Sequence, residues 1–308
     1  MRVWVALATM AIWVAPACST TDKPLEAPAA TVLAQVQVGP RLVDLTVRSR
    51  ALDRTAKVRL LTPDGWARRS PADRWPVLYL LHGCCDSNIS WTRSTDVEDI
   101  AELRDVLVVM PDGGSVGWYS DWWNHGRGGP PAWATYHLDE LRTLLERNYG
   151  AGQKRVIAGV SMGGLGALLY AARNPGVFVA AASYSGVVHP LYDGFPRGLM
   201  RVSENFGADP LALWGDPAAQ RSIWEAHDPF YLASRLRTVP VFLSCGDGNG
   251  TDSLEATLNE MNRTLAPRLK QAGVHLTTDF YRPGTHSWPY FERELHRSLP
   301  LLLSALRS

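Results

Sequence analysis

A serine stands between glycines in the stretch "RVIAGVSMGGLGALLYAARNP", residues 155–175. The apolar run 155–160 predicts a buried strand, and the small residues that follow predict a helix directly after Ser161. Gly-x-Ser-x-Gly in a strand–turn–helix setting is typical of a nucleophile, because the turn lifts the hydroxyl clear of the sheet. The alternative is a glycine-rich turn with an incidental serine. We expect Ser161 to be the nucleophile and the amide of Met162 to face a developing oxyanion.

A nucleophilic serine needs a general base, and the base needs a carboxylate that orients it. In the strand–turn–helix setting the chain order is serine, acid, histidine. His286 lies in "RPGTHSW", directly after the last strand-like run, whereas His275 begins that run and His296 lies within a helical pattern. We therefore expect His286 to be the base.

Three carboxylates follow the run "VPVFLSCG" (239–246), where the acid should lie: Asp247, Asp252 and Glu255. Asp247 could cap a turn, and Asp252 could cap the helix predicted from Ser253. Glu255 could serve only as a favourable charge in the first turn of that helix. Spacing leaves all three open.

The loop "LLHGCCDSNISW" should supply the second oxyanion donor, because it follows the third strand-like run. Its candidate is the amide of Cys84. The side chains of His82 and Cys85 are then expected to line the acyl or acceptor site.

Strand-like and helical runs alternate along the chain, which predicts an α/β fold with a doubly wound, mostly parallel sheet of eight strands. The first two strands should form an antiparallel pair, and residues 187–236 should form an insertion that caps the carboxyl edge of the sheet. The strand-like runs are 43–47, 56–61, 76–81, 106–110, 155–160, 179–186, 239–246 and 275–281. The helical runs are 132–149, 163–174, 253–273 and 290–307, with a kink expected at Pro267.

Composition narrows the function classes. A net charge of +1 over 308 residues, without a long basic run, argues against a nucleic-acid partner. No CxxC or HExxH spacing occurs, so we expect neither a metal site nor a cofactor. The 12 tryptophans indicate either an aromatic cleft or packing beneath long loops. Adjacent cysteines such as Cys84 and Cys85 rarely bond each other, and one of them could instead bridge to Cys245.

The N-terminus predicts export. Arg2 and the apolar run 3–14 are followed by "APAC", a pattern typical of a signal peptide over residues 1–18. Cys18 resembles a lipidated cysteine that would anchor the protein to a membrane, and cleavage after Ala17 by an ordinary signal peptidase is the alternative. Residues 19–36 are predicted to be a tether and residues 37–308 the enzyme domain.

From about residue 76 onward the chain resembles the esterase D-like α/β-hydrolases, and among them the secreted mycolyltransferases and diacylglycerol acyltransferases of the antigen 85 type. The stretches "MPDGGSVGWYSDWW", "GVSMGG" and "GTHSWPYF" carry the resemblance. It implies that Glu255, in Leu-Glu-Ala, is the acid. Wider relatives use an aspartate nearby, which keeps Asp252 and Asp247 as alternatives. The family's trehalose-binding Asp and Arg are absent, because the chain has His82 and Cys85 there.

We therefore expect an exported serine enzyme that forms an acyl-enzyme on Ser161. It would act as a carboxylic ester hydrolase, an O-acyltransferase, or both. Its partners would be an acyl ester, including lipid or glycolipid esters, and an alcohol or sugar acceptor. Trp288 is expected to contact the substrate. The alternative is a catalytically weak secreted binding protein on the same fold.

Overall fold

The computed structural model describes Met1 and residues 30–308, which form one sheet flanked by helices. The sheet has nine strands in the order β1-β2-β3-β5-β4-β6-β7-β8-β9. They are β1 Ala30–Gln37, β2 Leu42–Ser49, β3 Arg54–Leu61, β4 Trp75–Leu81, β5 Leu107–Pro111, β6 Ala151–Val160, β7 Ala180–Tyr184, β8 Val241–Gly246 and β9 Leu276–Tyr281.

The sheet is mostly parallel, which confirms the predicted fold class. Strands β5, β4, β6, β7, β8 and β9 pair parallel in that order. Strands β1, β2 and β3 pair antiparallel in turn, and β3 pairs antiparallel with β5. Every residue of β5, β7 and β8 is buried. This burial explains their mostly apolar character, since parallel strands are covered on both faces. The expected antiparallel pair is β2 with β3.

Helices cover both faces of the sheet and create two hydrophobic cores. The larger core receives side chains from α3, α4 and α8, and the smaller one from α1 and α9. The helices are α1 Ser90–Ser94, α2 Trp133–Thr135, α3 Arg142–Asn148, α4 Met162–Arg173, α5 Phe195–Asn205, α6 Arg221–Glu225, α7 Pro229–Leu232, α8 Ser253–Gln271 and α9 Trp288–Arg307, with a π-helical turn Tyr136–Leu141 between α2 and α3. Helix α8 continues through Pro267.

The ninth strand, β1, corrects the predicted strand number, and all of it except Gln37 lies in the range predicted to be a tether. Most side chains of β1 are exposed, including Leu33 and Val36. Backbone pairing with β2 therefore holds the strand at the sheet edge, and no buried face marks it in the sequence. The predicted export signal, Cys18 and the first part of the tether lie outside the described residues. Within the described residues, no helix is both long enough and apolar enough to cross a bilayer.

The insertion 187–236 contacts the loop that follows β5. The indole of Trp214 donates to Ser120 Oγ (2.9 Å), and the backbone amide of Trp123 donates to Leu213 O (2.9 Å). Trp118, Trp214 and Trp224 are fully buried, so packing beneath loops accounts for these three tryptophans. The insertion thus lies at the carboxyl edge of the parallel strands, as predicted.

Candidate active site

The turn between β6 and α4 forces Ser161 into a strained backbone conformation. Its φ is 57° and its ψ is −116°, in a region that non-glycine residues rarely adopt. A Cβ at Gly159 would overlap the carbonyl of Gly163, and one at Gly163 would lie 2.6 Å from His82 O. Both glycines are therefore required by the close approach of strand, helix and neighbouring loop. The turn itself is fixed by a hydrogen bond from the Ser161 amide to Tyr184 O (3.0 Å).

A histidine–carboxylate pair stands at the ends of the neighbouring strands. His286 Nδ1 lies 2.7 Å from Glu255 Oε2, and the Glu255 side chain is fully buried. The other oxygen, Oε1, accepts hydrogen bonds from the Gly246 amide (2.6 Å) and from Ser185 Oγ (2.6 Å). Because the carboxylate accepts the Nδ1 proton, Nε2 is left as the basic nitrogen of a neutral ring.

The two aspartates contact the backbone instead of the imidazole ring. Asp252 caps α8 by accepting from the Glu255 amide (3.0 Å), and its second oxygen accepts from the His286 amide (2.7 Å). Burial alone would raise the pKa of Asp252, but the pKa is lowered below its usual value, and the hydrogen bonds from these two amides are the main causes of the lowering. Asp247 Oδ1 accepts from the amides of Asn249 and Gly284, both at 3.0 Å.

Strand register gathers these residues at one edge of the sheet. Val160 pairs with Tyr184, Tyr184 with Ser244, and Gly246 with Tyr281. The segments that follow β6, β7, β8 and β9 therefore leave the sheet side by side. No hydrogen bond joins Ser161 Oγ to His286 within residues 30–308. Contacts between a nucleophile and its base are commonly looser before substrate binds.

The loop after β4 approaches the serine closely. A Cβ built on Gly83 would lie 3.2 Å from Ser161 Cβ. The amide of the next residue, Cys84, donates no hydrogen bond to any described residue, so it is free to bind an oxyanion. The amide of Met162, the first residue of α4, has no carbonyl partner in the helix. The two expected oxyanion donors thus lie on the two segments that flank Ser161.

The expectation that His82 contacts substrate is wrong. Its side chain is only 1% exposed. Nδ1 contacts Gly83 O (2.7 Å), and Nε2 accepts from the Gly113 amide (2.8 Å), so both ring nitrogens are occupied. His82 therefore stabilises the loop. Trp288 is half-buried at the start of α9 and packs edge-on against Trp91 (5.2 Å).

The cysteine expectations also need correction. Cys84 and Cys85 form a disulfide with each other across a Cα–Cα distance of 3.8 Å. Cys85 adopts a positive φ of 67°, and the resulting tight turn brings the neighbouring sulfur atoms together. Cys245 is a free, buried thiol whose Sγ lies 3.4 Å from Glu255 Oε1. Burial, and then the adjacent carboxylate, raise the pKa of Cys245 well above its usual value. It therefore remains a neutral neighbour of Glu255.

Ser185 is a site residue that sequence reasoning missed. It directly follows β7, is fully buried, and holds Glu255 from the side opposite His286. Its only signal is its position at the carboxyl end of a central strand, in "SYSG". The backbone role of Asp252 toward His286 was also missed.

A strained serine between a strand and a helix, beside a buried carboxylate–histidine pair, defines the serine esterases and acyltransferases of the α/β-hydrolase fold. The esterase family model matches residues 49–302. The chain belongs to this family.

Curated relatives agree with that placement. Esterase Rv1288 of Mycobacterium tuberculosis is 31% identical over 249 residues, which cover 76% of this chain and 53% of the relative. This chain therefore spans about half the length of that esterase. The diacylglycerol acyltransferase/mycolyltransferase Ag85B of Mycolicibacterium smegmatis is 30% identical over 251 residues, covering 75% of this chain and 77% of the relative.

Solved structures show the same fold. MPT51 (FbpC1) of Mycobacterium tuberculosis superposes with a TM-score of 0.70 at 24% identity, covering 84% of this chain and 96% of that one. The fluorophosphonate-binding serine hydrolase FphF of Staphylococcus aureus gives a TM-score of 0.69 at 20% identity, covering 85% and 97%. The predicted family resemblance is confirmed.

Proposed function

We propose that the protein is an exported serine acyl-ester enzyme in which Ser161 is the nucleophile, His286 the base and Glu255 the residue that orients the base. One observation carries the proposal: the 2.7 Å contact between His286 Nδ1 and the buried Glu255 carboxylate, at the sheet edge where the strained Ser161 turn lies. Burying a charged carboxylate is costly unless it is hydrogen-bonded. A glycine-rich turn with an incidental serine requires no such carboxylate nearby, so the presence of Glu255 supports a catalytic role.

In the first half-reaction Ser161 Oγ attacks the acyl carbonyl carbon and passes its proton to His286 Nε2. The negative oxygen that forms is stabilised by the amides of Met162 and Cys84. Collapse of this intermediate expels the alcohol, which takes the proton from Nε2 and leaves an acyl-enzyme. Water or an acceptor alcohol then gives a proton to Nε2 and attacks the acyl carbon. The bond between this carbon and Ser161 Oγ breaks, and Oγ takes the proton back from Nε2, which restores the serine and the neutral base.

A fluorophosphonate probe tests the nucleophile. The wild-type protein should be labelled at Ser161, as identified by peptide mass spectrometry, and Ser161→Ala should not be labelled. His286→Ala should label far more slowly while its melting temperature remains close to that of the wild type. Labelling that survives Ser161→Ala would place the reactive group elsewhere and refute the assignment.

Hydrolysis of short acyl esters is the activity that the site supports best. In the transferases that the chain resembles, two charged side chains after the third strand hold trehalose. Here His82 has no free ring nitrogen and Cys85 is bonded to Cys84. Losing two charge-assisted hydrogen bonds costs about 1.5–3 kcal/mol each, which corresponds to roughly 10²–10⁴-fold in acceptor binding. We therefore expect little transfer to trehalose.

Product analysis tests this preference. The pure protein is given a short-chain activated ester with trehalose, with glycerol or with neither, and the acyl products are identified by mass spectrometry. Free acid should dominate with trehalose. Dominant acyl-trehalose at millimolar trehalose would mean that other residues build a sugar site.

Export and anchoring are proposed from the first 18 residues. The apolar run and the small residues before Cys18 support cleavage at this point. If Cys18 carries lipid, a fatty-acid analogue should label the protein in cells and Cys18→Ser should release it from membranes. Unlabelled wild-type protein in the medium would instead support plain secretion, and protein retained in the cytoplasm would refute export.

A further inference from the structure

The segment 82–86, here called the oxyanion loop, is restrained at both ends. At its start the His82 ring contacts Gly83 O and accepts from the Gly113 amide. At its end the Asp86 carboxylate pairs with Arg93 at 2.6 and 3.0 Å. The first of these anchors holds the peptide that carries the Cys84 amide, because Gly83 O and the Cys84 N–H belong to the same peptide group.

His82 fixes the carbonyl end of that peptide, and the disulfide acts at its other end, on the Cys84 Cα. The Cys84 amide itself has no hydrogen-bond partner among the described residues. The next hydrogen bond along the loop comes from the Cys85 amide, which donates to Ser115 O (2.8 Å). Residue 85 has a positive φ of 67°, a conformation that is costly for a non-glycine residue. A covalent restraint on residue 85 therefore helps to hold this conformation.

The Cys84–Cys85 disulfide supplies that restraint. It closes a small covalent ring that contains the peptide bond between the two residues, so the rotations on either side of this bond become coupled. We propose that this disulfide positions the Cys84 amide as an oxyanion donor, so that the enzyme reaches its full rate only in the oxidised form. The inference rests on the proposed function, because it assigns the disulfide a role in the same site.

The chemistry of its loss is simple. A dithiol reductant attacks one sulfur, breaks the bond through a mixed disulfide and then closes to its own cyclic disulfide. Two electrons and two protons pass to the protein, leaving two thiols. Cys84 is half-buried and Cys85 is exposed, so a small reductant can reach the disulfide.

The effect should appear in kcat and not in KM, because an oxyanion donor acts only when negative charge develops in the transition state. Removing one such donor costs about 10²–10³-fold in kcat. Reduction loosens the donor without deleting it, so we expect a loss between about 10-fold and that limit. If the disulfide only stabilised the loop, reduction would alter the melting temperature and leave the ratio of oxidised to reduced kcat near one.

The test compares one protein in two redox states. The disulfide is first verified by alkylation of the denatured, unreduced protein and peptide mass spectrometry. Then kcat and KM for a short-chain ester are measured before reduction, after dithiothreitol treatment, and after reoxidation. The double variant Cys84→Ser/Cys85→Ser, which cannot form the bond, should match the reduced wild type and be insensitive to dithiothreitol. Should this variant fail to fold, recovery of kcat upon reoxidation of the wild type serves the same purpose.

The outcomes separate the two proposals. Equal kcat values in the oxidised and reduced enzyme refute the role of the disulfide and leave the proposed function standing. Free thiols at both positions in a fully active protein do the same. A protein that hydrolyses no ester and takes up no fluorophosphonate in either state refutes the proposed function, and this inference with it.

Discussion

Glu255→Gln is the substitution for which the structure makes the sharpest prediction. Glutamine keeps the size of the side chain, but only one of its two terminal atoms is an acceptor. The Gly246 amide donates to Oε1 at 2.6 Å and cannot reverse its direction, because it belongs to β8. The glutamine oxygen is therefore held at Gly246, and its NH₂ group faces His286 Nδ1.

That orientation turns the histidine into the wrong tautomer. Two donors cannot face each other, so Nδ1 must become an acceptor and the ring proton moves to Nε2. A protonated Nε2 on a neutral ring cannot accept the proton of Ser161. The corresponding acid-to-amide change in a serine protease triad lowers kcat about 10⁴-fold, which equals about 5.4 kcal/mol in activation free energy. We expect a loss of this size here.

The assay is steady-state hydrolysis of a short acyl ester, with melting temperature as the check on folding. Asp247→Asn is the matched control, because it also replaces one carboxylate by an amide near the site. Its Oδ1 can still accept from Asn249 and Gly284, so kcat should change less than threefold. If Glu255→Gln retains more than a tenth of wild-type kcat, or Asp247→Asn is equally damaged, the tautomer argument is wrong.

Two further predictions concern folding. Gly163→Ala should destabilise the protein by about 1–3 kcal/mol or prevent folding, because its Cβ would collide with His82 O; Gly198→Ala, with nothing within 4 Å, should be tolerated. Burial lowers the pKa of His137 to about 4. Between pH ~6.5 and 4 this residue therefore binds more protons in the unfolded chain than in the folded protein, and the free energy of unfolding should fall on acidification. His137→Gln should weaken this dependence in urea titrations at pH 7 and pH 5; an unchanged dependence would contradict the assignment.

The fold and the Ser161 turn could be predicted because local packing imposes them on the sequence. Parallel strands must be apolar on both faces, and the turn requires glycine wherever backbone meets backbone. His286 followed from its position after the last strand. Strand β1 was not predicted because it is held by backbone pairing with β2 and most of its side chains are exposed, so its sequence shows no buried face.

The direction in which a loop side chain points could not be predicted from the sequence. Asp247, Asp252 and Glu255 lie within nine residues of one another, and any of them could reach a histidine from a flexible segment. Asp252 caps α8, which turns its carboxylate toward backbone amides and leaves Glu255, one helical turn later, aimed at the ring. The Cys84–Cys85 bond depends in the same way on one positive φ angle at residue 85. Periodicity and composition predict which positions of a strand or helix are buried, but they do not predict which of three neighbouring carboxylates turns toward a histidine. Before the structure, only the resemblance to a family favoured Glu255, because members of a family share the placement of their catalytic side chains.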